Sequence, residues 1–380
     1  MKITRLTALT TYSPISDWTY VKVETDAPGI FGWGECSLPS KPNGVEGALR
    51  DLEKLLIGAD PLDTEWCWQR MYRHGYWRGG PIQTSALSGI DIALWDIKGK
   101  VLDLPVYKLI GGAVRKRIRL YANLGLADEP AEFRKRARHA LGLGYKVVKI
   151  YPLPAVGPVE GRAVVDHIVA CCEAVRDEVG SDRDFALDFH GRLSPGLAVV
   201  VEAALRHTRP LWIEEPVAAE SPAQLARLAE KFVIPIAVGE RLVTRWAFRE
   251  VFERELAAIV QPDVANAGGI SELVRIAAMA EMYGLAFAPH NPNGPVQSAA
   301  SLHLAAALQS FAMLEHRHEH HAFMNGLIGA TVPTVEADGC TGLPDGPGLG
   351  VAVDENFARQ HAQGSWIPES FRPDGSIGDW

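Results

Sequence analysis

From about residue 118 onward, short β-rich apolar runs alternate with Ala/Leu/Arg/Glu-rich stretches of helical character. The runs are IRLYAN (118–123), YKVVKIYP (145–152), FALDFHG (185–191), PLWIEEP (210–216), PIAVGE (235–240), AAIVQPDV (257–264), LAFAPHN (285–291) and AMLEH (312–316). Between them lie stretches such as PAEFRKRARHALGLG, PGLAVVVEAALRHT, PAQLARLAEKF and SELVRIAAMAEMYG. Eight strand candidates with a helix in most gaps predict an α/β fold of the (β/α)8 barrel kind, with an open doubly wound sheet as the alternative. The polar residues decide between them. Asp188, Glu214, Glu240, Asp263, His290 and Glu315 stand at the ends of successive runs, about 25 residues apart. A barrel gathers the C-terminal ends of all its strands on one face, whereas an open sheet would leave several far from its switch point.

Residues 1–115 have a different texture. MKITRLTALTTY and WTYVKVETDAPGIFGWGE read as antiparallel strands with a turn at DAPG, and TSALSGIDIALWDIKGKVL (84–102) carries apolar residues at helical spacing. This predicts a separate α+β domain over 1–115 and a barrel over 116–334. The Gly- and Pro-rich tail, 335–380, is expected to pack back on the first domain.

Composition narrows the function. The net charge is −8 with no basic run, which argues against nucleic acid and anionic membranes as partners. The five cysteines form an odd count without CxxC spacing, so a reduced, cytoplasmic setting and a packing role are expected. The N-terminus shows no apolar signal-peptide core, and no apolar run reaches membrane-spanning length.

Asp188, Glu214 and Glu240 end three consecutive strands. Three carboxylates converging on one mouth repel one another unless a cation sits between them, and hard oxygen ligands suit Mg²⁺. The competing reading pairs each with a base, Arg241 for Glu240 and Arg192 for Asp188. His190 lies two residues beyond Asp188, so on a continuing strand both side chains face inward, and the imidazole is a candidate acid or base. Asp263 and His290 end adjacent strands and suit a dyad in which the carboxylate orients the ring as a general base. Glu315 is a candidate for hydrogen-bonding an oxyanion if protonated, or for orienting substrate, beside the reading as an ordinary surface acid. Lys149 and Tyr151 share one face of the second strand. Lys149 is suited to a substrate carboxylate, or to a salt bridge with the metal-site acids.

With these residues in view, the chain resembles the enolase superfamily, mandelate racemase/muconate lactonizing enzyme branch, over almost its whole length. The resemblance rests on GWGEC (32–36), IDIALWDIKGK (90–100), LPVYKLIGG (104–112), IEEP (213–216), GER (239–241), QPDVANAGGI (261–270), PHNPNGP (289–295) and GPGLGV (346–351). It implies a (β/α)7β TIM-like barrel under an α+β capping domain, Mg²⁺ on Asp188, Glu214 and Glu240, and proton abstraction α to a carboxylate by the Asp263–His290 dyad. LDFHGR followed by IEEPV is similar to galactonate dehydratases and related acid-sugar dehydratases, in which a histidine placed like His190 protonates the departing hydroxyl. Homo-oligomers, often octamers, are common among such relatives. Racemases of this branch usually carry Lys-x-Lys on the second strand; here it is Lys149-Ile150-Tyr151, so the second base is missing. Mannonate dehydratases use a tyrosine near this position, which keeps that alternative open for Tyr151, beside a racemase, a cycloisomerase or a non-catalytic sugar-acid-binding relative.

The expected reaction is Mg²⁺-dependent dehydration of an aldonate to a 2-keto-3-deoxy acid. Substrate choice is expected in the capping domain. Ser16, Asp17, Trp18 and Tyr76-Trp77-Arg78 are candidates to cover the mouth, or simple interface packing. Asn291 and Asn293 suit sugar hydroxyls or a turn. HRHEHH (316–321) is compositionally able to bind metal, but no dedicated second metal is expected there.

Overall fold

The computed structural model describes residues 1–380 except Pro154, Ala155, Pro158, His318, His320, Pro373 and Trp380. The alternating N-terminal runs form an antiparallel sheet of β1 (Ile3–Tyr12), β2 (Asp17–Thr25) and β3 (Phe31–Glu35), in that order. Its buried face carries the long helix Pro81–Leu102. The glycines of β3 permit that contact: a Cβ on Gly32 or Gly34 would collide with the carbonyl oxygens of Ala93 and Gly89. Asp96 on the same helix accepts the Trp33 N–H at 3.0 Å and the Leu349 N–H at 2.9 Å, fastening sheet and C-terminal tail to one buried carboxylate.

The second unit is a parallel barrel. Its strands are β4 (Ile118–Leu126), β5 (Val147–Tyr151), β6 (Asp184–Asp188), β7 (Ile213–Glu214), β8 (Ile236–Val238), β9 (Ile259–Val260), β10 (Ala286–Phe287) and β11 (Leu314–His316). Neighbours pair in sequence order from β4 to β10, and β11 returns to pair with β4. A parallel bridge between Phe287 and Phe311 joins the β11 approach to β10, closing the ring. The strand order is the one expected, with several strands shorter than their apolar runs.

Alternation sets two walls. Outward-facing residues such as Leu120, Val148, Ile150, Phe185, Leu187, Ile213, Val260 and Leu314 pack under the helices in the main core. Inside the ring, Tyr121, Val147, Ala186, Trp212, Ala237, Ile259, Ala288 and Met313 form a separate apolar cluster, one from each strand or its flank. Large and small side chains mix in this plug, and the rings of Tyr121 and Trp212 meet edge-on at 5.5 Å.

The tail serves both units. Strand β12 (Cys340–Thr341) pairs antiparallel with β4 of the barrel. Helix Glu355–Gln360 then reaches the first sheet, where Glu355 meets Lys22 at 2.7 Å. All five cysteines are free. Among the described residues no helix is long and apolar enough to cross a membrane.

Candidate active site

Two residues beyond each member of the apolar plug, the inward positions are Asn123, Lys149, Asp188, Glu214, Gly239, Gln261, His290 and Glu315. The period of a strand carries them to the same side, one pleat higher. The C-terminal mouth is therefore polar for the same geometric reason that the plug below is apolar.

Local turns aim several of these side chains. Asn123 Oδ1 accepts the Gly125 N–H at 2.8 Å, Asp188 Oδ1 accepts the His190 N–H at 2.9 Å, and Asp263 Oδ1 accepts the Ala265 N–H at 2.7 Å. Each is an Asx turn, in which a short polar side chain bonds a backbone donor two residues on. This corrects the reasoning for His190. Strand β6 stops at Asp188, and His190 takes a left-handed conformation, φ 48°. Strand alternation therefore does not place its ring. The Asx turn does, bringing His190 Nε2 to 3.4 Å from Asp188 Oδ2.

Asp188, Glu214 and Glu240 come together, with one ligand atom from each lying within 4.8 Å of the others. Lys149, fully buried, sits against this group. Its Nζ is 3.3 Å from Asp188, 3.0 Å from Glu214 and 3.2 Å from Glu315. Burial opposes its charge, but Glu214 and Glu315 outweigh burial and hold its pKa well above the usual lysine range. Glu214, buried and facing Asp188, is pushed upward. Asp188 goes the other way: burial raises it, but His190 and Lys149 prevail. One ammonium thus serves three carboxylates, and Glu240 lies beyond it.

The arginines stop short of direct pairing. Arg241 binds Glu215, at 2.7 Å, and among the described residues Arg192 forms no close ion pair with Asp188, although Asp188 acts on Arg192 and Glu240 on Arg241 at longer range. Asp188 Oδ2 and Glu240 Oε2 are buried without a hydrogen bond, making only the longer ionic contacts. Hard oxygen donors, excess negative charge and two such orphaned oxygens fit a divalent cation. Among the described residues there is no second grouping of this kind.

His290 faces this cluster from the end of β10, two strands along the ring from β8. Its Nδ1 is 2.8 Å from Asp263 Oδ2 and its Nε2 is 3.3 Å from Glu240. Burial lowers its pKa, but Glu240, the Asp263 hydrogen bond and Glu315 together raise it to about 10. Glu315 also accepts from Asn123 Nδ2 at 2.6 Å and from the Asn291 N–H at 3.0 Å. Burial raises Glu315, yet Lys149, His290 and the Asn291 N–H bring it down to about 2. Glu315 is thus an anion in this arrangement. The Tyr151 hydroxyl receives the other Asn123 Nδ2 hydrogen bond at 2.6 Å, and its ring lies 4.6 Å from that of His190. Burial pushes the Tyr151 phenol well above its ordinary range.

Other candidates lie further out. Trp18 is buried and packs edge-on against Phe323 at 5.8 Å, while Asp17 accepts the Ser40 N–H and the Ser16 hydroxyl. Tyr76 and Trp77 stand 91% and 85% exposed. Asn291 Nδ2 donates to the Glu315 carbonyl at 2.9 Å, and the Asn293 N–H to Gln297 Oε1 at 3.0 Å, so both shape the loop. In HRHEHH, His316 is buried in β11 with its ring 5.1 Å from that of His321; His318 and His320 lie outside the described residues.

Four polar residues were missed by sequence reasoning. Asn123 bridges Tyr151 and Glu315, and it closes the apolar run 118–123 as the acids close theirs, although β4 itself continues to Leu126. Gln261 Nε2 donates to Glu214 at 2.9 Å, one pleat before Asp263. Gln297 and Glu35 support the dyad from a helix and from the other unit, where no local spacing rule points.

Comparison with known proteins matches residues 4–111 to the family "Mandelate racemase / muconate lactonizing enzyme, N-terminal domain" and residues 132–357 to "Enolase C-terminal domain-like". The D-galactonate dehydratase of Ralstonia nicotianae is 42% identical over 388 residues, covering 100% of both chains. That of Cronobacter sakazakii is 41% identical over 384 residues, covering 99% of this chain and 100% of its own. The crystal structure of a mandelate racemase/muconate lactonizing enzyme from Sulfitobacter sp matches with a TM-score of 0.92 and 34% identity over 100% of both chains.

Proposed function

The chain belongs to the mandelate racemase/muconate lactonizing enzyme family of the enolase superfamily, and from that premise we propose that it converts D-galactonate, or a close aldonate, to its 2-keto-3-deoxy acid. It is a sugar-acid dehydratase, a hydro-lyase. The observation that carries the residue assignment is a pair of imidazoles on one carboxylate cluster. His290 touches it through Glu240 and His190 through Asp188, and no second lysine stands on β5.

Asp188, Glu214 and Glu240 would hold Mg²⁺. When bound, the ion supplies Lewis-acid polarisation of the substrate carboxylate, which makes the α-proton removable. His290 Nε2 takes that proton while Asp263 keeps the proton on Nδ1. Glu240 is the strongest influence raising His290. A cation held by Glu240 would weaken that influence, which would favour the neutral ring that a base needs. Lys149 offers positive charge to the enediolate. His190 then gives a proton to the 3-hydroxyl as the C3–O bond breaks, water departs, and the enol tautomerises to the 2-keto acid. Glu315, ionised, fixes Lys149 and Asn291. Tyr151, held by Asn123, lends its phenol to a substrate hydroxyl. We place the enzyme in the cytoplasm as a homo-oligomer.

Proton NMR in D₂O with Mg²⁺ and a panel including D-galactonate and D-mannonate tests this. Expected is a 2-keto-3-deoxy product from D-galactonate. Product from mannonate alone would move the assignment to the tyrosine-assisted reading, and deuterium at Cα without loss of water would overturn the proposal in favour of a racemase.

A further inference from the structure

The Asp263–His290 pair is held by more than its own contact. Gln297, third residue of the helix Pro295–Ala307, is fully buried beneath it. Its Nε2 donates to Asp263 Oδ2 at 2.6 Å and lies 3.4 Å from the His290 carbonyl oxygen. Its Oε1 accepts the Asn293 N–H at 3.0 Å. A backbone N–H can only donate, so the atom facing Asn293 is the amide oxygen, and the NH₂ must face the carboxylate.

The other end of Gln297 reaches across the domain boundary. The helix begins at Gly294, which has no side chain to cap the first turn. Glu35, at the end of β3, supplies the missing acceptor. Its Oε2 takes the Gln297 N–H at 2.8 Å and its Oε1 takes the Gly294 N–H at 2.7 Å, with the Ser37 hydroxyl also at 2.7 Å. Burial, partly offset by these donors, lifts the Glu35 carboxyl to about 7. A Cβ on residue 294 would collide with Tyr20 and Glu35, so glycine here is what lets the carboxylate seat on the helix.

We propose that Gln297 is a positioning residue that orients Asp263, and through it His290, and that Glu35 registers this assembly to the N-terminal domain. The role of the dyad as base rests on the proposed dehydration; the orienting contact itself does not. Asp263 accepts from His290 and Gln297 on one oxygen and from Ala265 on the other. A carboxylate so bound cannot turn, and the imidazole plane is fixed with it. Without the amide, Oδ2 of Asp263 keeps only the His290 contact while Oδ1 stays on the Ala265 N–H, so the carboxylate plane is held less tightly and Nε2 is aimed less well, while the groups that hold substrate are untouched.

The experiment compares the parent with Gln297→Met, Gln297→Glu and Glu35→Gln. Met keeps the bulk and removes the donor; Glu keeps the shape and sets an acceptor against Asp263. In the substrate-free protein, the His290 Nδ1–H resonance is identified by its loss in His290→Asn. It should shift or vanish in both Gln297 variants. The kcat should fall about 10- to 100-fold in Gln297→Met and further in Gln297→Glu, with KM and Mg²⁺ affinity nearly unchanged. Glu35→Gln should show a smaller loss in the same direction, and it carries the test if the Gln297 variants do not fold. An unshifted resonance with parental kcat overturns the proposal. So does a Gln297→Glu that outperforms Gln297→Met, since a filler of space would rank by shape. The resonance needs no substrate, so a parent inert toward galactonate would break the proposed function and leave this inference standing on the NMR result.

Discussion

Two layers inside the barrel, one pleat apart, have opposite chemistry. The lower one, Tyr121, Val147, Ala186, Trp212, Ala237, Ile259, Ala288 and Met313, is an apolar plug. The upper one holds Asn123, Lys149, Asp188, Glu214, Gln261, His290 and Glu315, linked by ion pairs and hydrogen bonds. The same strands supply both, about 7 Å apart along the chain. The plug gives the mouth a dry floor, and a low dielectric strengthens every contact above it while making any unpaired charge costly. Trp212 belongs to both layers: its ring packs in the plug and its Nε1 lies 3.4 Å from Glu214 Oε2.

The comparison predicts graded effects. In the upper layer, His290→Asn should abolish α-proton exchange and dehydration together, a loss of about 10²- to 10⁴-fold measured by deuterium uptake in D₂O. His190→Asn should spare exchange and slow only loss of water; equal loss of both would remove it as the leaving-group acid. Lys149→Met strips the one ammonium from three carboxylates and should destabilise the metal-free protein by about 3–5 kcal/mol. Added Mg²⁺ should recover much of that in thermal melts, whereas a melt indifferent to Mg²⁺ would mean that the acids do not share a cation. In the lower layer, Trp212→Ala should cost about 3–5 kcal/mol in chemical denaturation through the cavity it leaves. It should also lower activity by loosening Glu214, whereas Ile259→Val should touch stability alone, by about 1 kcal/mol.

Outside both layers, His303 tests what burial does without a mouth full of partners. Burial lowers its pKa from 6.5 to about 4. The folded chain therefore declines a proton that the unfolded chain accepts. Its neutral form is at no disadvantage above pH 6.5, and stability is lost as pH falls from there toward 4, by roughly 2 kcal/mol at pH 5. The difference in unfolding free energy between parent and His303→Gln, followed from pH 8 to pH 5, should shrink by that amount as the parent weakens.

The barrel was legible because its rule is short-range. Each strand ends in a polar residue at a regular interval, and alternation in three or four residues, as in Trp212-Ile213-Glu214, already states which face is inward. Asp188, Glu214 and the dyad histidine follow from the same rule, whereas Glu240 lies past the end of β8, one residue beyond the inward position held by Gly239. His190 was found by an argument that does not hold, since the strand ends before it and a side-chain-to-backbone hydrogen bond does the aiming. Gln297 and Glu35 were not legible. They are 262 residues apart and meet only because the helix after β10 starts beneath the end of β3. No local pattern encodes a contact between domains, and a glutamine in a helix's first turn looks like any surface residue until burial is known. Tyr76 and Trp77 show the reverse case: their exposure goes against simple interface packing and leaves a role over the mouth as an expectation.

The Asx turns at Asn123, Asp188 and Asp263 divide each side chain between two tasks. One atom bends the backbone and the other serves the mouth. Charge and shape can therefore be changed separately. Exchanging Asp for Asn alters the valence of the mouth while the bend survives, because the amide oxygen still caps the same N–H. Exchanging Asp for Glu keeps the valence and loses the bend, because the longer arm no longer reaches the donor two residues ahead. The rim of this barrel is thus more forgiving of a lost charge than of one added methylene, and a lineage drifting toward new chemistry can revise its electrostatics there without rebuilding a single loop.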